Sequence, residues 1–165
     1  MVVMSGIEDL LTQGEELQEK TSPSIGDSKY IKGYIFSILM IIGILVLAFY
    51  PLDLGINQVY ILGLLVVPAL LLLKSEIDRH FVDYYITSEQ VILRYGILNQ
   101  TTESTTYSNI TDVTMNKALN ERIFGVGDIH VNTAGHDGEA IVLNGLKNPE
   151  KYKRMIENNV NNSAN

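Results

Sequence analysis

The side chains that could carry chemistry are few in this chain of 165 residues. The absence of cysteine excludes disulfides, iron–sulfur clusters, thiolate zinc sites and a cysteine nucleophile. Four metal-type ligands could approach one another, namely Asp128, His130, His136 and Asp137. The first two lie on the polar face of a predicted strand, however, and the others in a predicted turn. Paired catalytic carboxylates and a G-x-S-x-G motif are also lacking. We therefore predict no catalytic residue, no metal site and no cofactor.

Gly125-Val126-Gly127 has two of the glycines of a dinucleotide-binding loop. A third glycine does not follow, and no strand–loop–helix pattern surrounds the segment. We interpret it as a tight turn that leads into a strand at Asp128.

The charge balance bears on possible partners. The formal net charge is -7, from 12 basic and 19 acidic residues. Nucleic-acid binding needs a basic surface, so we expect no nucleic-acid partner. Simple electrostatic capture by anionic lipid is disfavoured for the same reason.

The elements that would position any site begin with two uncharged runs. Asp53 is the only ionisable acid or base between Lys32 and Lys74, and it separates residues 33–52 from residues 54–73. Each run has about 20 residues, the length of a helix that crosses a bilayer. We predict a two-helix transmembrane hairpin over residues 31–75, with a lipid bilayer as partner and a turn near Pro51 to Asn57. The alternatives are two buried helices of a soluble core and a cleaved signal peptide.

The flanking charges predict the orientation of this hairpin. Lys20, Lys29 and Lys32 precede the first run, and Lys74 and Arg79 follow the second. The connecting segment has neither Lys nor Arg. The positive-inside rule then places both termini in the cytoplasm of a multi-pass protein of the cell membrane.

Residues 1–30 are predicted to form an acidic helix and a linker. Ile7, Leu10, Leu11 and Leu17 would share one helix face, and residues 21–28 would be a flexible connection. The helix either docks on a partner or the adjacent domain, or is a solvated acidic tail.

The rest of the chain changes to a β pattern. Short alternating or β-branched segments separated by turn residues predict strands. These lie at residues 81–87, 91–95, 101–107, 110–115, 128–133 and 140–143. A helix follows from Asn148 and Pro149, and its apolar stripe consists of Tyr152, Met155, Ile156 and Val160.

Several stretches between Tyr84 and Ile156 resemble the bacterial pleckstrin-homology (PH) domain family, formerly described as a membrane-flanked domain of unknown function. They are residues 85–92, 94–98, 110–113, 122–128, 131–135 and 146–150. The resemblance implies a membrane-tethered cytoplasmic domain without established catalytic activity. The predicted fold is thus a membrane α-hairpin of two transmembrane helices plus a mainly β PH-like barrel closed by a C-terminal α-helix. The β domain would cover residues 76–160, and residues 161–165 would be a polar tail.

One departure from that family concerns lipid recognition. The strand at residues 100–106, where the family often has basic residues, contains none and carries Glu103. A phosphoinositide pocket needs clustered Lys or Arg. The remaining basic residues are dispersed among acids, namely Lys117, Arg122, Lys147, Lys151, Lys153 and Arg154. We therefore expect no clear phosphoinositide site.

Three functions remain as hypotheses. The first is a non-enzymatic interaction or assembly module that binds a protein partner or further copies of itself, through an exposed sheet edge held near the membrane. The second is a lipid- or peptide-responsive envelope stress or resistance factor. The third is a membrane enzyme with an unrecognised site.

Overall fold

Long apolar helices and two β-sheets make up the described part of the chain. The computed structural model describes residues 11, 14–49, 58–134 and 139–163. The helices are α1 (Ser28–Phe49), α2 (Gln58–Gly63), α3 (Val66–His80), α4 (Leu119–Phe124) and α5 (Pro149–Ser163). The strands are β1 (Leu17–Thr21), β2 (Val82–Thr87), β3 (Gln90–Tyr95), β4 (Thr101–Thr106), β5 (Ile110–Asn116), β6 (Val126–Thr133) and β7 (Glu139–Lys147).

Two helical segments are long and apolar enough to cross a membrane. Helix α1 has 22 residues, and the segment Tyr60–His80 has 21 residues. Apolar side chains on them are largely exposed, including Phe36, Leu39 and Leu70. This exposure is the opposite of what two buried helices of a soluble core predict. Both segments extend beyond the uncharged runs into the charged flanks, and the predicted turn near Pro51 to Asn57 lies outside the described residues.

Pro68 explains why the second segment is divided into α2 and α3. Proline has no N–H, and its ring clashes with the carbonyl four residues earlier, which here belongs to Leu64. The helix is interrupted at Leu64 and Leu65. The N–H groups of Leu64, Leu65 and Val67 instead donate to carbonyls three residues earlier, at 3.0–3.1 Å.

The hairpin is inserted into a β-sheet, between its first and second strands. The first sheet has the order β1-β2-β3-β4, and β1 pairs antiparallel with β2 so that Lys20 lies opposite Tyr85. The prediction of a helix extending to Leu17 is therefore wrong for the described residues, because Leu17–Thr21 is a strand. Most of that predicted helix lies outside the described residues. Leu11 packs on the outer face of the sheet, against Tyr85 and Ile92.

The predicted flexible connection is instead packed between the two parts. Pro23, Gly26 and Asp27 are buried. The Ser24 N–H donates to the Gly145 carbonyl at 2.8 Å. The carbonyl and one carboxylate oxygen of Asp27 accept backbone N–H groups from the first turn of α1, at 2.8–3.1 Å. Asp27 thus caps α1, as Asp commonly does at a helix start.

The core lies between the two sheets and α5. The second sheet has the order β5-β6-β7. Tyr152 and Ile156 of α5 are buried in the core, and Met155 and Val160 pack against it. The predicted apolar stripe of the C-terminal helix is confirmed.

The predicted mainly β fold with a C-terminal helix is present, but the predicted barrel is not closed, because the two sheets remain separate. A 3-10 turn, Tyr107–Asn109, carries the chain from β4 in one sheet to β5 in the other. Strand β4 consists of Thr, Ser and Glu, so it has no apolar face whose burial would favour closure. Helix α5 packs across the second sheet near this turn.

Candidate functional site

The most distinctive surface of the β domain is the edge of its second sheet. Strand β5 pairs with β6 and, within the described residues, with no other strand. Alternate residues of an edge strand turn their N–H and C=O groups away from their partner strand. β5 can therefore accept one more strand along this side.

Helix α5 converts this edge into a groove. The groove encloses about 330 Å³. Ile110 and Val113 of β5 and Val160 of α5 supply its apolar atoms. Ile110 and Val113 are buried, and Val160 is half-buried against the core. An extended segment laid along β5 would direct alternate side chains toward these atoms.

The rim of this groove is polar and carries two carboxylates. Asp112 lies on β5, and its Oδ2 accepts a hydrogen bond from the Thr114 hydroxyl at 2.8 Å. Glu157 lies on α5, and its Oε1 is 3.5 Å from Lys153 Nζ. Both rim carboxylates lie near water, so their charges attract cationic side chains moderately. The groove thus combines apolar lining atoms with two carboxylates.

Tyr107 holds the turn that brings β5 beside α5. Its side chain is buried, and its hydroxyl donates to the Thr87 carbonyl at 2.8 Å. Burial raises the pKa of Tyr107 to about 12, because the phenolate would be desolvated. Asn159 of α5 donates to the same Thr87 carbonyl at 3.2 Å. These bonds fix the start of β5 relative to the helix.

The other edge strands of the two sheets are β1, β4 and β7, and β4 lies at the far end of the first sheet. The side chains of β4 are polar on both faces. Within the described residues, no helix lies beside β4 to form a groove like that between β5 and α5. Glu103 accepts a hydrogen bond from the Tyr95 hydroxyl at 2.8 Å. β4 therefore offers backbone groups without the apolar contacts that give a bound strand its specificity.

The possible metal ligands do not form a site among the residues that the structure describes. Asp128 Oδ1 accepts the Gly145 N–H at 2.7 Å, and His130 Nε2 lies 3.2 Å from Asn116 Nδ2. His136 and Asp137 lie outside the described residues. In the described ranges no three His, Asp or Glu side chains converge as metal ligands. The absence of a metal site remains a prediction.

Gly125 has the predicted role of a turn residue. It ends α4 with a φ of +63°, in the left-handed region that glycine adopts without a steric penalty. Val126 and Gly127 begin β6 directly afterwards.

Several of the dispersed basic residues are held in ion pairs. Lys117 pairs with Glu150, and this hydrogen bond lowers the pKa of the Glu150 carboxyl. Lys151 Nζ donates a hydrogen bond to Glu19 Oε2 of β1 at 2.8 Å, and this bond raises the pKa of Lys151. Such pairs leave less positive charge for a phosphate group. The expectation that no phosphoinositide site exists is consistent with them and stays a prediction.

Sequence reasoning located β5 and the stripe of α5 but not the groove between them. Thr111, Asp112 and Glu157 carry no motif of their own. The available signal was the polar side chain of Asp112 between two core-facing residues, Ile110 and Val113. Which element lies beside that strand depends on contacts between distant parts of the chain.

Comparisons with known proteins give one family match. The family model described as bacterial PH domain matches residues 30–160, which include the helical hairpin and strands β2 to β7. No curated protein and no solved structure matches this chain.

Proposed function

This chain belongs to the bacterial PH domain family, and on that premise we propose that it is a non-enzymatic, membrane-anchored module that binds an extended, basic segment of a partner protein. The segment adds as a strand to β5 in the groove beside α5. The observation that carries this proposal is the edge strand β5 with its adjoining groove.

The anchor is the helical hairpin, which crosses the membrane twice. Support comes from the length, hydropathy and exposure of α1 and of the segment Tyr60–His80. Pairing of β1 with β2 supports it further, because these strands flank the hairpin and lie in one sheet. The chain must therefore leave and re-enter on the same side, as two crossings require.

The cytoplasmic side is the expected location of the β domain. The Lys and Arg residues beside the hairpin lie at its domain-facing end, where Lys29, Lys32, Lys74 and Arg79 are found. Short loops rich in Lys and Arg are retained on the cytoplasmic side. Both termini would then be cytoplasmic.

Strand addition suits a domain of this kind. The backbone hydrogen bonds of an added strand provide affinity, and pockets for its alternate side chains provide specificity. In the groove, Ile110, Val113 and Val160 would contact apolar side chains. Asp112 and Glu157 would contact Lys or Arg, which also matches the net charge of -7.

Selection from a displayed library of random peptides on the detergent-solubilised full-length protein tests this function. We expect selected peptides to alternate apolar or β-branched residues with Lys or Arg. The double variant Asp112→Lys and Glu157→Lys should bind such a peptide at least about tenfold more weakly, because two attractions become repulsions.

Two comparisons make this experiment specific to the groove. Thr102→Lys places the same charge on the edge strand β4 and should leave peptide binding unchanged. Asn158→Trp should block the groove from α5 and weaken binding without altering charge. Equal binding by the double variant and the unaltered protein would contradict the proposal, as would loss of binding in Thr102→Lys alone.

A further inference from the structure

Two apolar tips project from the β domain. The first, tip A, consists of Leu119, Ile123 and Phe124 of the short helix α4. The second, tip B, consists of Ile97 and Leu98 in the turn between β3 and β4. Exposed fractions reach 82% for Ile123 and 95% for Leu98, values at which an apolar side chain has almost no contact within the described chain. Clusters of this kind mark contact surfaces.

Residues adjoining each tip are hydrogen-bonded to the domain-facing end of the helical hairpin. We call the start of α1 and the end of α3 the two feet of the hairpin. For tip A, the Glu121 carboxylate accepts the Ser28 N–H at 3.1 Å and the Ala118 N–H at 2.8 Å, which links the start of α1 to the start of α4. Ser28 and Asn120 add a side-chain hydrogen bond. For tip B, the Gly96 N–H donates to the carbonyl of Phe81 at 3.1 Å, directly after the end of α3.

The surface of tip A continues onto the apolar surface of α1. Phe124 and Ile25 line a cavity of about 500 Å³ whose other wall is α1. The α1 residues in it run from Ile31 through Ile35 to Ile38. Those residues cover two turns, about 10 Å of helix axis. Phe124 therefore lies beside the part of α1 that already enters the uncharged run.

We infer that both tips lie in the interfacial layer of the lipid bilayer, one beside each foot of the hairpin, and hold the β domain against the membrane in one orientation. This inference rests on the proposed membrane anchoring and not on peptide binding. Lipid is the occupant that fits, because the apolar surface is continuous with a membrane-crossing helix. Lys29, Lys74 and Asp78 line a groove between α1 and α3 near the domain-facing end of the hairpin, and the two ammonium groups would meet lipid phosphates there.

Single tryptophans provide the test, since the chain contains none. Leu98→Trp and Ile123→Trp are made in the full-length chain and reconstituted into phospholipid vesicles. Some vesicles carry lipids brominated near the headgroup end of the acyl chain. We expect both variants to show blue-shifted emission and a clear loss of intensity in brominated vesicles. Bromines near the end of the acyl chain should quench them less, because the tips lie at the interface.

Two further variants distinguish the tips from the anchor. Phe36→Trp lies on the exposed face of α1 and should be quenched if the hairpin crosses the membrane. Ser108→Trp lies beyond the far end of β4 from tip B, about 20 Å along the strand, and should not be quenched. Quenching of Phe36→Trp without quenching at the tips would overturn the inference and leave the anchor intact.

The remaining outcomes are also decisive. If Phe36→Trp is not quenched either, the proposed anchoring fails and the inference with it. If the tips give blue-shifted emission that bromine does not reduce, protein and not lipid covers them, which also overturns the inference. That protein would be a partner or a second copy of this chain.

Discussion

At the scale of single residues, Asp27 joins the apolar helical hairpin to the β domain. It is buried, and its Oδ1 caps α1 while its Oδ2 has no hydrogen-bond partner. Burial raises the pKa of Asp27, and the nearby carboxylates Asp128 and Glu121 raise it further. The pKa of Asp128 is raised as well, mainly by burial. Asp27 thus caps α1 from a buried position in which the charged form of its carboxyl group is disfavoured.

A test of Asp27 separates the cap from the charge. Because the pKa of Asp27 is raised in the folded state, its stabilising contribution is greatest at acidic pH and is lost as the pH rises through that folded-state pKa. Asp27→Asn keeps a capping oxygen without the charge, so it should raise the unfolding temperature at pH 7, and by less at acidic pH. Asp27→Ala loses the cap and should lower stability by about 1 kcal/mol. Both are measured by thermal unfolding in detergent.

Asp112→Asn is the matched control, because it neutralises an exposed carboxylate that caps no helix. It should change the unfolding temperature little at either pH. Should Asp27→Asn and Asp27→Ala destabilise the protein equally at neutral pH, the charge would not be the unfavourable feature.

At the scale of elements, β1 belongs to the first sheet although it precedes the helical hairpin in sequence and the other three strands follow it. Its residues, Leu-Gln-Glu-Lys-Thr, are mostly polar, and the sequence predicts them to belong to an acidic helix and linker. Lys20 forms an ion pair with Asp83 at 3.0 Å and lies over the ring of Tyr85. Such contacts depend on the partner strand and leave no periodic apolar pattern in β1 itself.

Two truncations test the contribution of β1. Removal of residues 1–21 deletes the strand, exposes the edge of β2 and should lower the unfolding temperature markedly, with increased aggregation. Removal of residues 1–10 leaves both Leu11 and β1 in place and serves as the control, so its effect should be small. Equal unfolding temperatures for the two truncated chains would mean that β1 adds nothing to the sheet.

At the scale of the whole molecule, the insertion of the hairpin between β1 and β2 couples the helical hairpin to the β domain. Both strands are hydrogen-bonded to each other, and each leads within a few residues into a hairpin helix. A domain linked to its anchor by one flexible tether would turn freely. Two short, packed connections restrict such rotation, and the proposed function requires this, because the groove would then keep a fixed orientation to the membrane.

Single cysteines test the arrangement across the membrane, because the chain has no others. Ser104→Cys lies on β4 and should react with a membrane-impermeant maleimide only after the cells are permeabilised. Asp53→Cys, in the predicted connection between the helices, should react in intact cells. Reaction of both in intact cells would exclude two crossings, and the reverse pattern would place the β domain outside.

Sequence alone determined the features that depend on local composition and period. The two uncharged runs predicted the apolar helices, alternating or β-branched segments between turn residues predicted β2 to β7, and the stripe from Tyr152 to Val160 predicted the core-facing side of α5. Such patterns are visible in the sequence because side chains return to the same face of a helix or a strand with a known period. The resemblance of these segments to the bacterial PH domain family correctly predicted the family to which the chain belongs.

Only the tertiary structure decided the features that join distant residues. These are the pairing of β1 with β2 around the hairpin, the separation of the two sheets, the cap at Asp27, the groove between β5 and α5, and the position of both apolar tips at the hairpin feet. The polar residues of β1 and the short α4 have no strong pattern of their own, so packing against other elements selects their conformation. Local sequence specifies which face of an element is apolar, whereas the surface that covers that face is set by the fold as a whole.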